Sequence, residues 1–230
     1  MNFINILYGK MERSSAGSRA TSEKVISLCP KGSSALYIGD ETVTPALLKA
    51  AGWSTTAAIT DELRAKSAES TGLDVMEVQR FELPQGAENY DLLWYNGVVE
   101  YDSPELRLEQ LKGSCKKGGT VVYRSLCWLI DPSPDTKMYC TRRFGVIRPL
   151  DGIIRAAKDA GFSVQDLYIS PRSDWTTEFY SKLMAAAQEY AGQHEGETSL
   201  TAGLSELQKE IDMFELHCEE YSYVYYILKG

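Results

Sequence analysis

Tyr90-Asp91-Leu92-Leu93-Trp94-Tyr95-Asn96-Gly97-Val98-Val99-Glu100-Tyr101 is the most informative stretch of the chain. Its apolar run lies between an aspartate and the polar pair Asn96-Gly97, which is the pattern of a buried strand that ends in a turn. Similar short apolar runs occur on both sides of it and are separated by helical patterns. The predicted strands are 35–39, 55–59, 75–78, 91–95, 120–123, 164–169 and 223–228.

Strands that alternate with helices indicate parallel βαβ units and a doubly wound α/β sheet. Two further helices, roughly 175–190 and 204–216, precede the last strand, and this connection is long enough for that strand to run antiparallel. We therefore expect one domain over residues 1–230, with an N-terminal helical segment at 1–32 and a helical insertion at 172–220.

Composition and charge narrow the classes of partner. The 230-residue chain has a net charge of −8, and no segment of the sequence gathers Lys and Arg into a patch. Nucleic acid is therefore not expected as a partner, because neutralising phosphates requires clustered cations. A small-molecule substrate fits better, and a homodimer is compatible with the sequence.

Apolar segments and cysteines indicate the compartment. No apolar run approaches the roughly 20 residues that span a bilayer, and the N-terminus lacks the features of a signal peptide. The five cysteines are widely spread and form no Cys-x-x-Cys pair, so we predict neither a zinc site nor a disulfide framework. These features predict a reduced, cytoplasmic protein with no membrane partner and no bound metal.

Two segments in the middle of the chain resemble class I S-adenosylmethionine-dependent methyltransferases. Residues 90–101 resemble the fourth-strand motif of that family, and Leu83-Pro84 precedes Asp91 at the usual spacing. Residues 112–124, with Lys116-Lys117-Gly118-Gly119 at their centre, resemble the family's helix, Lys-x-Gly-Gly turn and strand. The resemblance implies a seven-stranded Rossmann-like sheet with an antiparallel last strand and a helical cap.

A narrower resemblance, to bacterial small-molecule methyltransferases with a C-terminal helical insertion, covers the C-terminal half. It rests on several short sequences, which are Ala160-Gly161-Phe162, Pro171 to Trp175, Phe179-Tyr180 and Tyr221-Ser222-Tyr223, together with the N-terminal Gly17-Ser18-Arg19-Ala20-Thr21. The resemblance implies S-adenosylmethionine as the cofactor and a small molecule as the methyl acceptor.

The cofactor loop departs from the family pattern. Tyr37 stands where the family has an acidic residue, and Gly39 is the only glycine kept, because Glu41 and Val43 replace the next two. Glycines in this loop let the backbone approach the methionine part of the cofactor, and a β-branched valine at positive φ would be strained. By the resemblance, the cofactor-binding residues are Tyr37, Gly39, Asp40, Glu41, Thr42, Thr60, Asp61, Gln79, Arg80, Phe81, Asn96 and Gly97.

Several candidate residues have two interpretations. Asp40 and Glu41 either attract the cationic end of the cofactor or form the acidic first turn of a helix. An aromatic substrate pocket under the cap is predicted, with plain core packing as the alternative, from Trp128, Tyr139, Arg143, Trp175, Tyr180 and Tyr221. Arg143 is the member that can hold a carboxylate or phosphate.

The resemblance implies methyl transfer to a small molecule. Such a reaction needs little acid–base chemistry, since it depends mainly on holding the acceptor in line with an activated methyl group. No catalytic residue is therefore predicted. The alternatives are a methyltransferase-like fold that has lost its cofactor and binds a ligand or partner, and an enzyme of this fold that uses a modified adenosine ligand.

Overall fold

A computed structural model describes residues 7, 11–78, 83–84, 86–96, 103–194 and 198–230. Its strands are β1 (Ser34–Ile38), β2 (Ser54–Ile59), β3 (Asp74–Glu77), β4 (Leu92–Asn96), β5 (Thr120–Trp128), β6 (Arg148–Pro149), β7 (Ser163–Ile169) and β8 (Tyr221–Lys229). Its helices are α1 (Arg19–Leu28), α2 (Val43–Ala50), α3 (Glu62–Ser70), α4 (Pro104–Gly113), α5 (Pro134–Phe144), α6 (Leu150–Asp159), α7 (Arg172–Trp175), α8 (Ser181–Gln193) and α9 (Thr198–His217).

The sheet has the strand order β3-β2-β1-β4-β5-β8-β7, and the short β6 pairs with β5 outside this order. The first five strands in this order are parallel, and β8 runs antiparallel to both β5 and β7. The doubly wound, mostly parallel sheet with an antiparallel last strand is therefore confirmed.

Apolar helix faces cover both sides of the sheet. Val25 of α1, Leu48 of α2 and Ala68 of α3 are buried on one face, and Leu108 of α4 and Ile153 of α6 are buried on the other. A third cluster, which we call the cap core, joins α5, α7, α8 and α9 to the start of β8. In the part of the chain that the structure describes, no helix is long and apolar enough to cross a membrane.

Three of the differences from the sequence prediction concern β5 and the cap. Strand β5 continues to Trp128 instead of ending at Tyr123, because Arg124 in mid-strand is buried and hydrogen-bonded rather than exposed. Helix α5 was not predicted, although Ser133 caps its first turn and Pro134 begins it, as is common at helix N-termini. The first predicted cap helix begins earlier, at Arg172, and includes a π-helical turn over Thr176–Tyr180.

Candidate functional site

The carboxyl ends of β1 and β4 meet where the strand order reverses, which is where open α/β sheets bind ligands. In the register of the sheet, Tyr37 is beside Trp94, Asn96 is beside Arg124, and Arg124 is opposite Tyr225. Since side chains two residues apart share a face, Tyr37, Asn96, Arg124 and Tyr225 all point to the face that carries α1 and α2. We call the polar group around them the switch-point cluster.

The loop after β1 does not use a glycine at positive φ. The described glycines with positive φ do not include Gly39, and Val43 is the first residue of α2, so the strain considered for it does not arise. Gly39 is required for space instead, since a Cβ there would lie 2.6 Å from the Tyr37 hydroxyl and 2.8 Å from the Asn96 Cβ.

Tyr37 lies beside Gly39 and Asn96 in the switch-point cluster. It is fully buried, and its hydroxyl accepts a hydrogen bond of 3.1 Å from Asn96 Nδ2. Burial, together with the nearby Glu41 carboxylate, raises the pKa of Tyr37 well above its usual value. The residue at the family's acidic position is therefore a neutral hydroxyl that orients Asn96.

Asp40 links the loop to the end of β2. Its carboxylate accepts hydrogen bonds from the Thr60 backbone N–H, at 3.2 Å, and from the Thr60 hydroxyl. Asp61 caps α3 by accepting from the Arg64 N–H at 2.9 Å. The structure thus brings Asp40 and Thr60 together and leaves Asp61 exposed at the same edge, while Thr42 precedes α2 without a side-chain capping bond.

Glu41 forms a buried ion pair with Arg13, from the segment before α1. The two side chains are 4% and 10% exposed, respectively. Glu41 also accepts from the Thr44 hydroxyl, and Arg13 donates to the Ser18 carbonyl oxygen at 3.2 Å and to Ser22 Oγ at 3.1 Å. The carboxylate at the second-glycine position is therefore neutralised by a cation that the sequence analysis did not single out.

Arg124 is the second buried cation of the cluster. It donates to Ser15 Oγ at 2.9 Å and to the Ala16 carbonyl oxygen, and its guanidinium carbon lies 3.5 Å from the centroid of the Tyr223 ring. These bonds and the stacked ring stabilise a charge that is only 2% exposed. Arg124 thereby ties the N-terminal segment to the sheet.

Charges of both signs act on the Tyr225 hydroxyl. Burial raises the pKa of Tyr225, Glu41 and Asp174 raise it further, and Arg124 and Arg13 lower it. Asp174 comes from α7 and is 1% exposed, so it brings the cap into the cluster. Two arginines and two carboxylates therefore converge on Tyr225.

Three buried atoms of this cluster lack a hydrogen-bond partner among the described residues. They are Asn96 Oδ1, which is an acceptor, Arg124 Nε, which is a donor, and Asp174 Oδ2, which is an acceptor. An unsatisfied buried polar group costs about 1–3 kcal/mol. These three atoms therefore match a polar ligand that offers two hydrogen-bond donors and one acceptor.

The six predicted substrate residues lie in or beside the cap core. Trp175 stacks between Phe214 and Tyr223, with centroids at 4.6 and 5.0 Å, and the Tyr221 ring lies edge-on to it. Trp128 contacts Tyr221 edge-on, and half-buried Tyr139 packs against the same cluster.

The Arg143 guanidinium, which the sequence analysis singled out as able to hold a carboxylate or phosphate, forms an ion pair with Glu210 at 2.7 Å. The Tyr180 hydroxyl donates to the same carboxylate at 3.3 Å. These contacts make the cap a packed unit, and a substrate-binding use of its aromatic residues stays a prediction.

A cavity of about 550 Å³ opens at the end of β5, on the same edge of the sheet. Trp128 lines it together with Leu129, Ile130, Ile147 and Leu150. Asp131, Lys137 and Asp151 also line it. The space is suited to an apolar small molecule that carries a polar group.

The sequence predictions miss part of the site and extend beyond the described residues. Gln79, Arg80, Phe81 and Gly97 lie outside the described residues. Arg13, Arg124 and Asp174 were not predicted as site residues. A charge within an otherwise apolar strand, as at Arg124, was the available signal, whereas nothing in the sequence links Arg13 to Glu41.

Comparisons with known proteins bear on the fold. No protein-family model and no curated protein matches the sequence. Among solved structures, a SAM-dependent methyltransferase from Geobacter sulfurreducens in complex with S-adenosyl-L-homocysteine matches with a TM-score of 0.80 at 12% identity, covering 98% of this chain and 96% of that one. The corresponding complex from Thiobacillus denitrificans gives 0.77 at 11%, covering 99% of each chain.

YjhP from E. coli gives a TM-score of 0.75 at 14% identity, covering 100% of this chain and 96% of that one. All three matches extend over nearly the whole of both chains, so they include the cap as well as the sheet. This chain has the Rossmann-like fold of the class I S-adenosylmethionine-dependent methyltransferases.

Proposed function

We propose that this protein binds S-adenosylmethionine and transfers its methyl group to a small-molecule acceptor. The observation that carries the proposal is the buried Arg13–Glu41 ion pair at the switch point, close to the unpartnered Asn96 Oδ1. The solved structures of the same fold that contain S-adenosyl-L-homocysteine support it.

The residues present fit the amino-acid end of this cofactor. That end carries one carboxylate and one ammonium group, and Arg13, Glu41 and Asn96 together offer one guanidinium, one carboxylate and one free amide oxygen. Arg13 would bind the carboxylate through charge-assisted hydrogen bonds, and Glu41 and Asn96 would accept from the ammonium. A zwitterion replaces the internal ion pair without leaving a buried charge unpaired.

The adenosine end would lie towards β2. Asp61 uses one oxygen to cap α3, and its second oxygen has no hydrogen-bond partner in the part of the chain that the structure describes. A carboxylate held in this way can accept from a ribose hydroxyl. Thr60 is held by Asp40 and would contribute to the same wall.

The acceptor would occupy the cavity beside Trp128. Bound S-adenosylmethionine supplies an electrophilic methyl group on a sulfonium. The protein's part is then to hold the acceptor atom in line and to exclude water. Apolar walls with charged residues among them favour a small organic molecule over a polymer.

A second candidate is a domain of this fold that has lost its cofactor and binds another ligand or partner. It is favoured by the crowding at Gly39, where Tyr37 and Asn96 leave no room even for a Cβ atom. The same orphan atoms would then bind a different polar molecule.

Calorimetric titration with S-adenosylmethionine and S-adenosylhomocysteine tests the proposal. We expect micromolar binding, weakened at least about tenfold by Arg13→Gln, because two charge-assisted hydrogen bonds are worth more than 1.4 kcal/mol. Arg155→Gln is the matched control, since it removes the same charge from an exposed helix position.

A second variant, Asn96→Ala, keeps the test informative if Arg13→Gln does not fold. Circular dichroism checks the fold of each variant. Absence of binding of both ligands at millimolar concentration would contradict the methyltransferase proposal and leave the second candidate.

A further inference from the structure

A second pocket lies at the opposite edge of the sheet from the switch-point cluster. It is formed where β1, β2, β4 and β5 begin and where β8 ends, and its volume is about 340 Å³. Such a volume falls at the small end of the range for ligand sites, about 300–1,000 Å³. Four lysines line this pocket, namely Lys31, Lys116, Lys117 and Lys229.

Asp91 is the one carboxylate among the described residues that line the pocket, and it is already hydrogen-bonded. It accepts from the Ser33 N–H at 2.9 Å, from the Ser33 hydroxyl at 2.7 Å, and from Lys116 Nζ at 2.5 Å. The Lys116 ammonium and these serine donors hold the pKa of Asp91 well below its usual value. Asp91 therefore neutralises Lys116 and no other lysine.

The remaining three lysines have no carboxylate partner among the described residues. Lys31, Lys117 and Lys229 come from three separate parts of the sequence, so only the fold gathers them. The lining side chains carry a net charge of +3 in a chain whose total is −8. Lysines gathered at one place create a positive potential that attracts anions.

Glycines and one tryptophan shape the walls of the pocket. Gly118 has φ +72°, and Gly119 N–H bonds back to the Lys116 carbonyl oxygen at 2.6 Å, which fixes the turn that carries two of the lysines. Gly32 packs closely on Trp53, because a Cβ on that glycine would lie 2.6 Å from the ring. Trp53 therefore forms one aromatic side of a cationic pocket.

We propose that this pocket binds a compact anion of two or three linked phosphoryl groups. Three ammonium groups match the charge of such an anion, and lysine binds phosphate as a point charge without a fixed geometry. The anion comes either from a free oligophosphate or from a nucleotide whose base lies on Trp53. This site is separate from the switch-point cluster, and the proposal does not depend on the proposed function.

Calorimetric titration with tripolyphosphate and with ATP, at fixed ionic strength, tests the site. We expect Lys117→Gln/Lys229→Gln to weaken tripolyphosphate binding at least about tenfold, because two charge-assisted contacts are lost. Lys182→Gln/Lys209→Gln removes the same charge from the exposed cap helices and should leave binding unchanged.

The two ligands distinguish the sources. Equal affinity for both, with unchanged tryptophan fluorescence, supports recognition of the phosphoryl groups alone, whereas tighter ATP binding with quenching that Trp53→Leu abolishes supports a nucleotide. Failure of both to bind the wild-type protein would overturn the proposal. Equal weakening by the pocket variant and the cap variant would overturn it too, because binding would then follow net charge rather than this pocket.

Discussion

Replacing Arg13 by methionine should strongly destabilise the protein, because it leaves the Glu41 carboxylate buried without its cation. The paired side chains are 10% and 4% exposed, so water screens the pair little. Removing one partner of a buried pair costs about 3–5 kcal/mol. We expect a loss of about 3 kcal/mol, near the lower limit, since Thr44 still donates to Glu41.

Urea unfolding followed by circular dichroism measures this loss directly. In a chain of this size, about 3 kcal/mol corresponds to a fall in Tm of about 6–12 °C. Glu41→Gln should cost less, about 2 kcal/mol, because Arg13 keeps its bonds to Ser18 and Ser22.

The double variant Arg13→Met/Glu41→Gln completes the cycle. Since a neutral pair leaves no buried charge, the double variant should cost at least about 2 kcal/mol less than the sum of the single variants. A loss below about 1 kcal/mol for Arg13→Met, with no coupling in the cycle, would show that the pair is exposed or absent in solution.

Three further predictions concern other parts of the structure. Gly39→Ala should destabilise the protein by about 1–3 kcal/mol in urea unfolding, because the new Cβ would lie 2.6 Å from the Tyr37 hydroxyl. Gly192→Ala is the control and should not destabilise the protein, because its new Cβ meets nothing within 4 Å. Trp175→Ala should cost about 3–5 kcal/mol by losing its stacked contacts in the cap core, and an unchanged Tm would refute that packing. The pKa of Asp91 is lowered in the folded state, so its contribution to the free energy of unfolding is present above about pH 4 and is lost as the pH falls further. The stability difference between Asp91→Asn and wild type should therefore shrink from pH 7 to pH 2.5. A constant difference would contradict this assignment.

The sequence predicted the sheet better than the site. Each central strand is a short apolar run bounded by turn residues, so local pattern was sufficient to find it. Strand β5 was predicted to end at Tyr123, before Arg124, whose buried guanidinium is hydrogen-bonded to Ser15, 109 residues away. Such long-range compensation of a charge leaves no local signal.

The position of the candidate site could be inferred, but its contacts could not. The resemblance placed Gly39, Glu41 and Asn96 at the switch point, and the structure brings them to one edge of the sheet. The predicted choice for Glu41 was between a ligand role and a helix-terminal role. Its buried pairing with Arg13 was not among the alternatives, because the two residues are 28 positions apart and no periodicity relates them.

The sequence by itself determined the alternation of strands and helices, and its resemblance to class I methyltransferases implied the antiparallel last strand and the altered glycine loop. The alternation follows from hydrophobic period and turn chemistry, which act over a few residues. Only the tertiary structure decided which charges meet. Arg13 and Arg124 reach the carboxyl edge of the sheet, and Lys31, Lys117 and Lys229 gather at the opposite edge in a chain with no basic segment. Electrostatic interactions depend on distance in space, and the fold sets that distance.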